Sequence, residues 1–263
     1  MKKILALTLV ILIPLLTQNC AMVKISISEK RNSTLRQINI GENATLTTWG
    51  TIKVNKSHFF PSSFQLKTSN KIVYIDPVEI ETTEKADYIL ITHAHPDHLS
   101  IKDLEKILKS ETKIICSKGV AKKLKGNDYT IQVVRPNETI DFDGISINTI
   151  AAYNTKSVFL WIKAHPKSKE NVGFVLTLDK KLSIYHAGDT DYIPEMNELK
   201  NIQIALIPIG GDNLTMNEEE AAVIVNRIKP EKVIPIHYEI KNRKELNHFK
   251  SLVNQKIEVI VLE

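Results

Sequence analysis

The sequence predicts an α/β fold, because short apolar strands alternate with amphipathic helices along most of its 263 residues. The stretch 88–92 has the composition of a buried strand, and the helix predicted at 100–110 places Leu104, Ile107 and Leu108 on one face. The chain also ends with a strand, a helix and a strand in succession. A hydrophobic content of 43% is sufficient for a substantial core.

The other strands are predicted where apolar or β-branched residues run between Asn, Ser, Pro and Gly turn signals. Predicted strands lie at 46–54, 63–68, 71–75, 88–92, 113–116, 130–134, 145–150, 172–178, 182–185, 202–209, 232–236 and 257–262. Predicted helices lie at 100–110, 119–124, 217–228 and 245–253.

Residues 1–20 have the pattern of a signal peptide. Met-Lys-Lys precedes an apolar run from Ile4 to Leu16, which is too short to span a bilayer comfortably. Cys20 follows this run and resembles the lipidated cysteine of a relaxed bacterial lipobox; the alternatives are an uncleaved anchor and simple export. We therefore expect an exported protein of the periplasm or the cell surface, held at the membrane through its N-terminus if Cys20 is lipidated.

Residues 21–44 are polar and lack a sustained apolar period, so we expect a tether or an edge segment there, followed by one folded domain at 45–263. Cys116 ends an apolar segment and is predicted to be a buried core thiol. The formal net charge is +5, and the lysines are scattered along the chain without interleaved aromatic residues. This pattern gives no reason to expect a nucleic-acid partner.

The segment from Ile91 to Leu99 places three histidines and a carboxylate directly after a predicted strand. Because side chains alternate along an extended segment, His93 and His95 point the same way. Pro96 suits the start of a helix, which would redirect Asp97 and His98. Imidazole and carboxylate oxygen are ligands for borderline ions such as zinc, so the segment predicts a metal site, with one pair for each of two ions.

Three later segments supply further candidate ligands. Asn154 follows a predicted strand and begins a long basic loop at 154–171, which contains His165 and is expected to rim a site. Asp189 emerges at a strand end, where the preceding glycine permits close backbone approach. His237 follows the last but one predicted strand.

The order of these motifs resembles that of the metallo-β-lactamase superfamily. The match spans most of the chain after residue 45 and is most similar to the branch containing ascorbate-6-phosphate lactonases and N-acyl-phosphatidylethanolamine phospholipase D. The resemblance implies an αββα four-layer sandwich with a dinuclear metal site on one rim of its sheets. It rests on the segments Thr92-His-Ala-His-Pro-Asp-His98, Tyr185-His-Ala-Gly-Asp-Thr190, Ile207-Pro-Ile-Gly-Gly211, Thr215-Met-x-x-Glu-Glu-x-Ala and Pro235-Ile-His-Tyr238.

The resemblance also implies how the ligands are shared. His93 and His95 would bind the first metal, Asp189 would bridge, and the second metal would take Asp97, His98 and His237. The branch often has a histidine where this chain has Asn154, so the third imidazole of the first metal must come from elsewhere. We expect His165 to supply it, because imidazole is a better ligand for a borderline ion than the amide oxygen of Asn154, which is the alternative.

The remaining polar residues near these motifs have weaker claims. By resemblance, Asp76 is expected to hold a ligating imidazole rather than to bind metal. His186 is either a satisfied core histidine or a site residue, and Asp212 and Tyr238 are candidates to line the pocket. Trp161 is expected to pack, with contact to a substrate as the alternative.

The resemblance implies a hydrolase in which two divalent ions, Zn²⁺ or else Mn²⁺, hold a hydroxide that attacks an ester, lactone or phosphodiester. Asp97 would also steer protons. We expect a small or lipid-like substrate, and the lysines of the long loop point to an anionic one, with a solvated lysine face as the alternative. The alternatives are a non-catalytic surface-anchored binding protein on the same fold, and a nuclease of the superfamily, which the modest charge and the export signal disfavour.

Overall fold

The computed structural model describes residues 27–28, 36–49, 51–54, 57–142 and 144–263. The predicted signal peptide and Cys20 lie outside these ranges. In the part of the chain that is described, no helix is long and apolar enough to cross a membrane.

The described residues form eighteen strands, four α-helices and two short 3₁₀ helices. The strands are β1 (Ile27–Ser28), β2 (Arg36–Gly41), β3 (Ala44–Thr48), β4 (Ile52–Val54), β5 (Ser57–Phe60), β6 (Phe64–Lys67), β7 (Ile72–Ile75), β8 (Tyr88–Ile91), β9 (Lys113–Ser117), β10 (Thr130–Val134), β11 (Thr139–Phe142), β12 (Ile145–Ala151), β13 (Val172–Leu178), β14 (Leu182–His186), β15 (Ile204–Pro208), β16 (Lys232–Ile236), β17 (Tyr238–Glu239) and β18 (Glu258–Val259). The helices are α1 (Ile101–Ile107), α2 (Lys118–Lys123), α3 (Glu218–Ile228) and α4 (Arg243–Leu252), and the 3₁₀ helices are Lys167–Lys169 and Pro194–Glu198.

The first large sheet has the strand order β10-β9-β8-β7-β6-β3-β2. Strand alternation gives it two apolar faces, as β8 illustrates. Leu90 points to the central core, whereas Ile89 and Ile91 pack with Leu104 of α1 and Val120 of α2. This sheet is therefore covered by helices on its outer side.

The second large sheet has the order β11-β12-β13-β14-β15-β16-β18 and faces the first across the central core. Helices α3 and α4 contact each other and contribute Ile224, Val225 and Phe249 to the same apolar cluster. A capping box of Asn217 and Glu220 fixes the start of α3. The predicted α/β class and four-layer sandwich are thus confirmed.

A smaller sheet of order β1-β4-β5-β17 lies beside the sandwich. The predicted strand 46–54 is wrong as a single element, because β3 joins the first large sheet and β4 joins this small one. Strand β2, within the segment predicted to be a tether or an edge, forms the edge of the first large sheet.

Other boundaries also differ from the prediction. Pro96 does not start a helix: the chain makes a turn in which the N–H groups of His98 and Leu99 both donate to the His95 carbonyl. Helix α1 begins at Ile101, close to the predicted residue 100, but ends at Ile107 rather than at residue 110. The strand predicted at 257–262 pairs only over Glu258–Val259.

Candidate metal centre

The candidate ligands gather where several parallel strands end. His93, Asp189 and His237 follow the carboxyl ends of β8, β14 and β16, and Asp76 follows that of β7. Strands β14 and β16 run in the same direction within one sheet, and β7 and β8 do so in the other. Loops at the carboxyl ends of such strands meet at one edge, which is where α/β proteins commonly bind ligands.

A first cluster consists of His93, His95, His165 and Asp189, each offering one ligand atom within 4.8 Å of the others. His165 Nε2 lies 3.0 Å from His95 Nδ1 and 3.6 Å from Asp189 Oδ2, and His93 Nε2 lies 3.8 Å from that oxygen. The structure therefore brings His165 to the position where the third imidazole was sought.

A second cluster consists of Asp97, His98, Asp189 and His237, again with ligand atoms within 4.8 Å of one another. His98 Nε2 lies 3.2 Å from Asp189 Oδ1, and His237 Nε2 lies 3.1 Å from Asp189 Oδ2. Asp97 Oδ2 is 3.4 Å from His237 Nε2. Asp189 belongs to both clusters, so its two oxygens join them into one centre.

Asp76 holds His98 from behind. Its Oδ2 is 2.7 Å from His98 Nδ1 and accepts a hydrogen bond from the Thr92 hydroxyl at 2.7 Å. Its Oδ1 accepts from the Thr92 N–H at 2.8 Å. Asp76 adopts left-handed backbone geometry, with φ of 45°. This places the carboxylate where it turns the other nitrogen of His98, Nε2, toward the cluster.

Asn154 has the equivalent position behind His165. Its Oδ1 accepts from both the backbone N–H and Nδ1 of His165 at 2.9 Å, which leaves Nε2 to face the first cluster. Its Nδ2 donates to Asp191 and to the Leu214 carbonyl. Asn154 thus contacts the candidate ligand His165 from the side away from the cluster and orients its ring.

His237 is held by its backbone. Its N–H donates to the Phe60 carbonyl at 2.9 Å, and its φ of 50° turns the chain sharply after β16. A Cβ at Gly210 would lie 2.2 Å from the His237 carbonyl oxygen, so only glycine fits beside this turn.

Four buried polar atoms of the centre make no hydrogen bond to any described residue. They are His93 Nε2, His98 Nε2, Asp97 Oδ1 and Asp189 Oδ1. Buried polar groups are usually paired, and leaving one unpaired costs about 1–3 kcal/mol. Imidazole nitrogens and carboxylate oxygens converging in this way fit bound divalent cations, which would satisfy all four atoms.

Histidines of the two clusters have opposite pKa shifts. Burial lowers the pKa of His93 and His95, and lowers the pKa of His165 to about 4, although nearby carboxylates act in the opposite direction. Burial also opposes the charged form of His237, but Asp189 and Asp97 outweigh it and raise its pKa to about 10. The first cluster is therefore neutral in its imidazoles and the second is cationic.

The remaining members of the second cluster have the same pattern. Burial alone would lower the pKa of His98, but Asp189 and Asp76 raise it well above the ordinary value. Burial opposes ionisation of Asp189 and Asp97, yet the neighbouring histidines hold the pKa of both carboxyls below their usual range. Both acids are ionised and available as ligands.

Three residues suggested for the pocket are elsewhere. His186 donates from Nε2 to the Ser62 carbonyl and accepts the Gly188 N–H at Nδ1, so it is a satisfied core histidine. Tyr238 packs against Phe60 and its hydroxyl donates to Glu263. Asp212 is exposed in a turn.

Two other expectations concern single side chains. Trp161 does not pack, because 80% of its surface is exposed. Cys116 is fully buried and unpaired, as predicted, and burial raises its pKa to about 12. Such a thiol is not a nucleophile at neutral pH.

Sequence reasoning missed Thr92 and Asp191. Asp191 accepts hydrogen bonds at Oδ2 from the Thr155 N–H, the Thr155 hydroxyl and the Lys156 N–H, and so anchors the start of the long loop. Thr92 directly precedes His93, and Asp191 lies two residues after Asp189. This closeness to candidate ligands is the only signal in the sequence, and it does not distinguish a supporting Thr or Asp from one that occurs there by chance.

Comparison with known proteins is consistent with this centre. Residues 57–237 match the family model described as the beta-lactamase superfamily domain. A UPF0173 metal-dependent hydrolase of Thermococcus onnurineus is 37% identical over 204 residues, covering 74% of this chain and 85% of that protein. Another, from Nanoarchaeum equitans, is 36% identical over 182 residues, covering 67% of this chain and 80% of the relative.

Solved structures give the same result. A protein of Parabacteroides distasonis assigned as a metal-dependent hydrolase is 30% identical, with a TM-score of 0.69, covering 88% of this chain and 99% of that one. A metallo hydrolase of the archaeon Ignicoccus hospitalis is 26% identical, with a TM-score of 0.61, covering 78% and 93% of the two chains.

Proposed function

Since this chain belongs to the metallo-β-lactamase superfamily and is a metal-dependent hydrolase, we propose that it uses two divalent ions to hydrolyse an ester, lactone or phosphodiester. The observation that carries the proposal is the meeting of two ligand clusters at Asp189. The similarity of this chain to the branch containing ascorbate-6-phosphate lactonases and N-acyl-phosphatidylethanolamine phospholipase D stays a prediction.

His93, His95 and His165 would hold one ion, Asp97, His98 and His237 the other, and Asp189 would contribute to both. Five imidazoles and two carboxylates form a mixed nitrogen and oxygen donor set, which suits Zn²⁺ best, with Mn²⁺ as the alternative. When bound, such ions supply a water of lowered pKa as nucleophile and polarise the bond to be cut.

Asp97 is the residue we propose to accept a proton during the reaction. Its carboxylate is ionised, and Oδ1 has no hydrogen-bond partner among the described residues. The other oxygen lies 3.4 Å from His237 Nε2, which orients the group. General bases of this kind typically contribute about 10²–10⁴-fold to the rate.

The substrate we propose is a small or lipid-like anionic molecule. The loop that supplies His165 carries Lys156, Lys163, Lys167 and Lys169, and this local excess of lysine supports an anionic substrate. The pattern of residues 1–20 supports export, so we place this substrate outside the cytoplasm, with the N-terminus at a membrane.

The test is hydrolysis of p-nitrophenyl butyrate, a γ-lactone and bis(p-nitrophenyl) phosphate before and after metal chelation. We expect activity on at least one of them to be lost on chelation and restored by Zn²⁺ or Mn²⁺. Asp97→Asn should lower kcat by about 100-fold, whereas the matched control Asp212→Asn, in an exposed turn, should not. Hydrolysis that survives both chelation and Asp97→Asn would refute the proposal.

A further inference from the structure

The loop between β12 and β13 carries five consecutive apolar residues that the fold leaves exposed, which we name the apolar tip. Val158 and Ile162 are each 42% exposed, Phe159 and Leu160 each 65%, and Trp161 80%. A run of this length is uncommon on the surface of a protein domain unless it has a function.

The tip is a defined turn. The Val158 N–H donates to the Ile162 carbonyl at 2.8 Å, and the Ile162 N–H donates to the Phe159 carbonyl at the same distance. Leu160 takes a left-handed conformation, with φ of 48°. These bonds hold the aromatic rings at the apex of a hairpin.

The base of this hairpin is part of the metal centre. The Asn154 N–H donates to the His165 carbonyl at 2.8 Å, and the Asn154 side chain accepts from the His165 N–H. Ile162, the last residue of the tip, is therefore three residues from the candidate ligand His165. A surface that binds the tip would lie beside the metal centre.

The loop that carries the tip has an excess of basic residues. Between residues 154 and 170 there are four lysines and one acid, Glu170. Lys156 pairs with Glu220 at 2.6 Å and Lys167 with Glu195 at 2.8 Å. The other two, Lys163 and Lys169, have no ionic partner within the described ranges. This charge is complementary to an anionic surface.

We propose that the apolar tip inserts into the headgroup region of an anionic lipid bilayer. Tryptophan prefers the interface between lipid and water, Phe and Leu prefer the acyl boundary, and lysines beside them attract anionic headgroups. A second copy of the chain is disfavoured, because the tip consists of five exposed residues, against about 20–30 residues per partner in a stable interface.

The test uses the fluorescence of Trp161 in the full chain. The sequence has two tryptophans, and Trp49 is only 2% exposed, so the spectrum of Trp161→Phe gives the baseline of Trp49. Vesicles contain phosphatidylcholine and phosphatidylglycerol in equal amounts, with and without brominated acyl chains. Because Trp161 itself is observed, binding through the N-terminus does not produce the signal, and no catalytic turnover is needed.

We expect vesicles to shift Trp161 emission to shorter wavelength and brominated chains to quench it. The double variant Phe159→Ser with Leu160→Ser should raise the lipid concentration at which half of the emission shift is reached by about tenfold or more. Val223→Ser on α3, whose side chain is 53% exposed, is the matched control and should leave it unchanged. Vesicles of phosphatidylcholine alone should bind more weakly.

Two results would overturn the proposal. One is Trp161 emission that vesicles neither shift nor quench. The other is a shift that appears without lipid as the protein concentration rises, which would assign the tip to contact with a second copy.

Discussion

The side chain of Asn154 makes four hydrogen bonds in the wall of the centre, and Asn154→Ala removes all of them. Two come from the backbone N–H and Nδ1 of His165, each at 2.9 Å. The others go from Nδ2 to Asp191 Oδ1 at 3.1 Å and to the Leu214 carbonyl at 2.9 Å. The variant thus tests whether Asn154 supports His165 as the geometry indicates.

The expected loss of stability follows from the polar groups that the substitution leaves without a hydrogen-bond partner. Asp191 keeps three other donors, from Thr155 and Lys156, so its share is small. The backbone N–H and Nδ1 of His165 and the Leu214 carbonyl lose their partners, at about 1–3 kcal/mol for each group that water cannot reach. The Leu214 carbonyl is only partly buried, so the two His165 groups dominate and we expect the free energy of unfolding to fall by about 2–6 kcal/mol.

Urea denaturation of the metal-free protein measures this change. Asn127→Ala is the matched control, since Asn127 is exposed and its side chain donates a single bond to the Leu124 carbonyl, and its effect should lie within about 0.5 kcal/mol. Freed of its partner, the His165 ring should also bind metal about 10–100-fold more weakly in chelator competition. An unfolding free energy within about 1 kcal/mol of the parent protein, with unchanged metal affinity, would refute this reasoning.

Three other predictions concern the second cluster. Asp76→Asn should weaken its metal binding by about 10–100-fold in chelator competition, because an amide keeps only one of the two carboxylate oxygens that accept from Thr92 and His98. Asp189 and Asp97 outweigh burial and raise the pKa of His237 to about 10, so its proton must leave before a metal binds. The affinity for metal should therefore rise as the pH increases towards about 10, with proton release visible by calorimetry, and a pH-independent affinity would contradict this. Gly210→Ala should lower the melting temperature, because its Cβ would meet the His237 carbonyl at 2.2 Å, and an unchanged melting curve would count against it.

Much of the centre could be predicted because its ligands lie in short motifs at strand ends. His93, His95, Asp97 and His98 occupy one six-residue stretch directly after an apolar run that predicted a strand, and the family resemblance placed the site at one rim of the sheets. The choice of His165 over Asn154 followed from that resemblance, which implies a third imidazole, and from ligand chemistry. The structure brings that histidine into the cluster, while its role as a metal ligand stays a prediction.

Other features depended on backbone geometry that residue patterns do not specify. The left-handed φ of His237 directs Tyr238 toward Phe60, away from the pocket. Composition favours buried tryptophan, yet a turn at Leu160 exposes Trp161. The break between β3 and β4 could have been inferred from Gly50, which lies between them in the sequence.

The metal content of the purified full chain shows whether two metal ions share Asp189. After exposure to Zn²⁺ and Mn²⁺, elemental analysis should find two ions per chain, one for each cluster. Asp189→Ala should reduce the content of both, whereas Asp212→Ala, which alters an exposed turn, should retain both. A parent protein that binds no metal, or an Asp189→Ala variant that binds as much as the parent, would show that Asp189 is not shared by two ions.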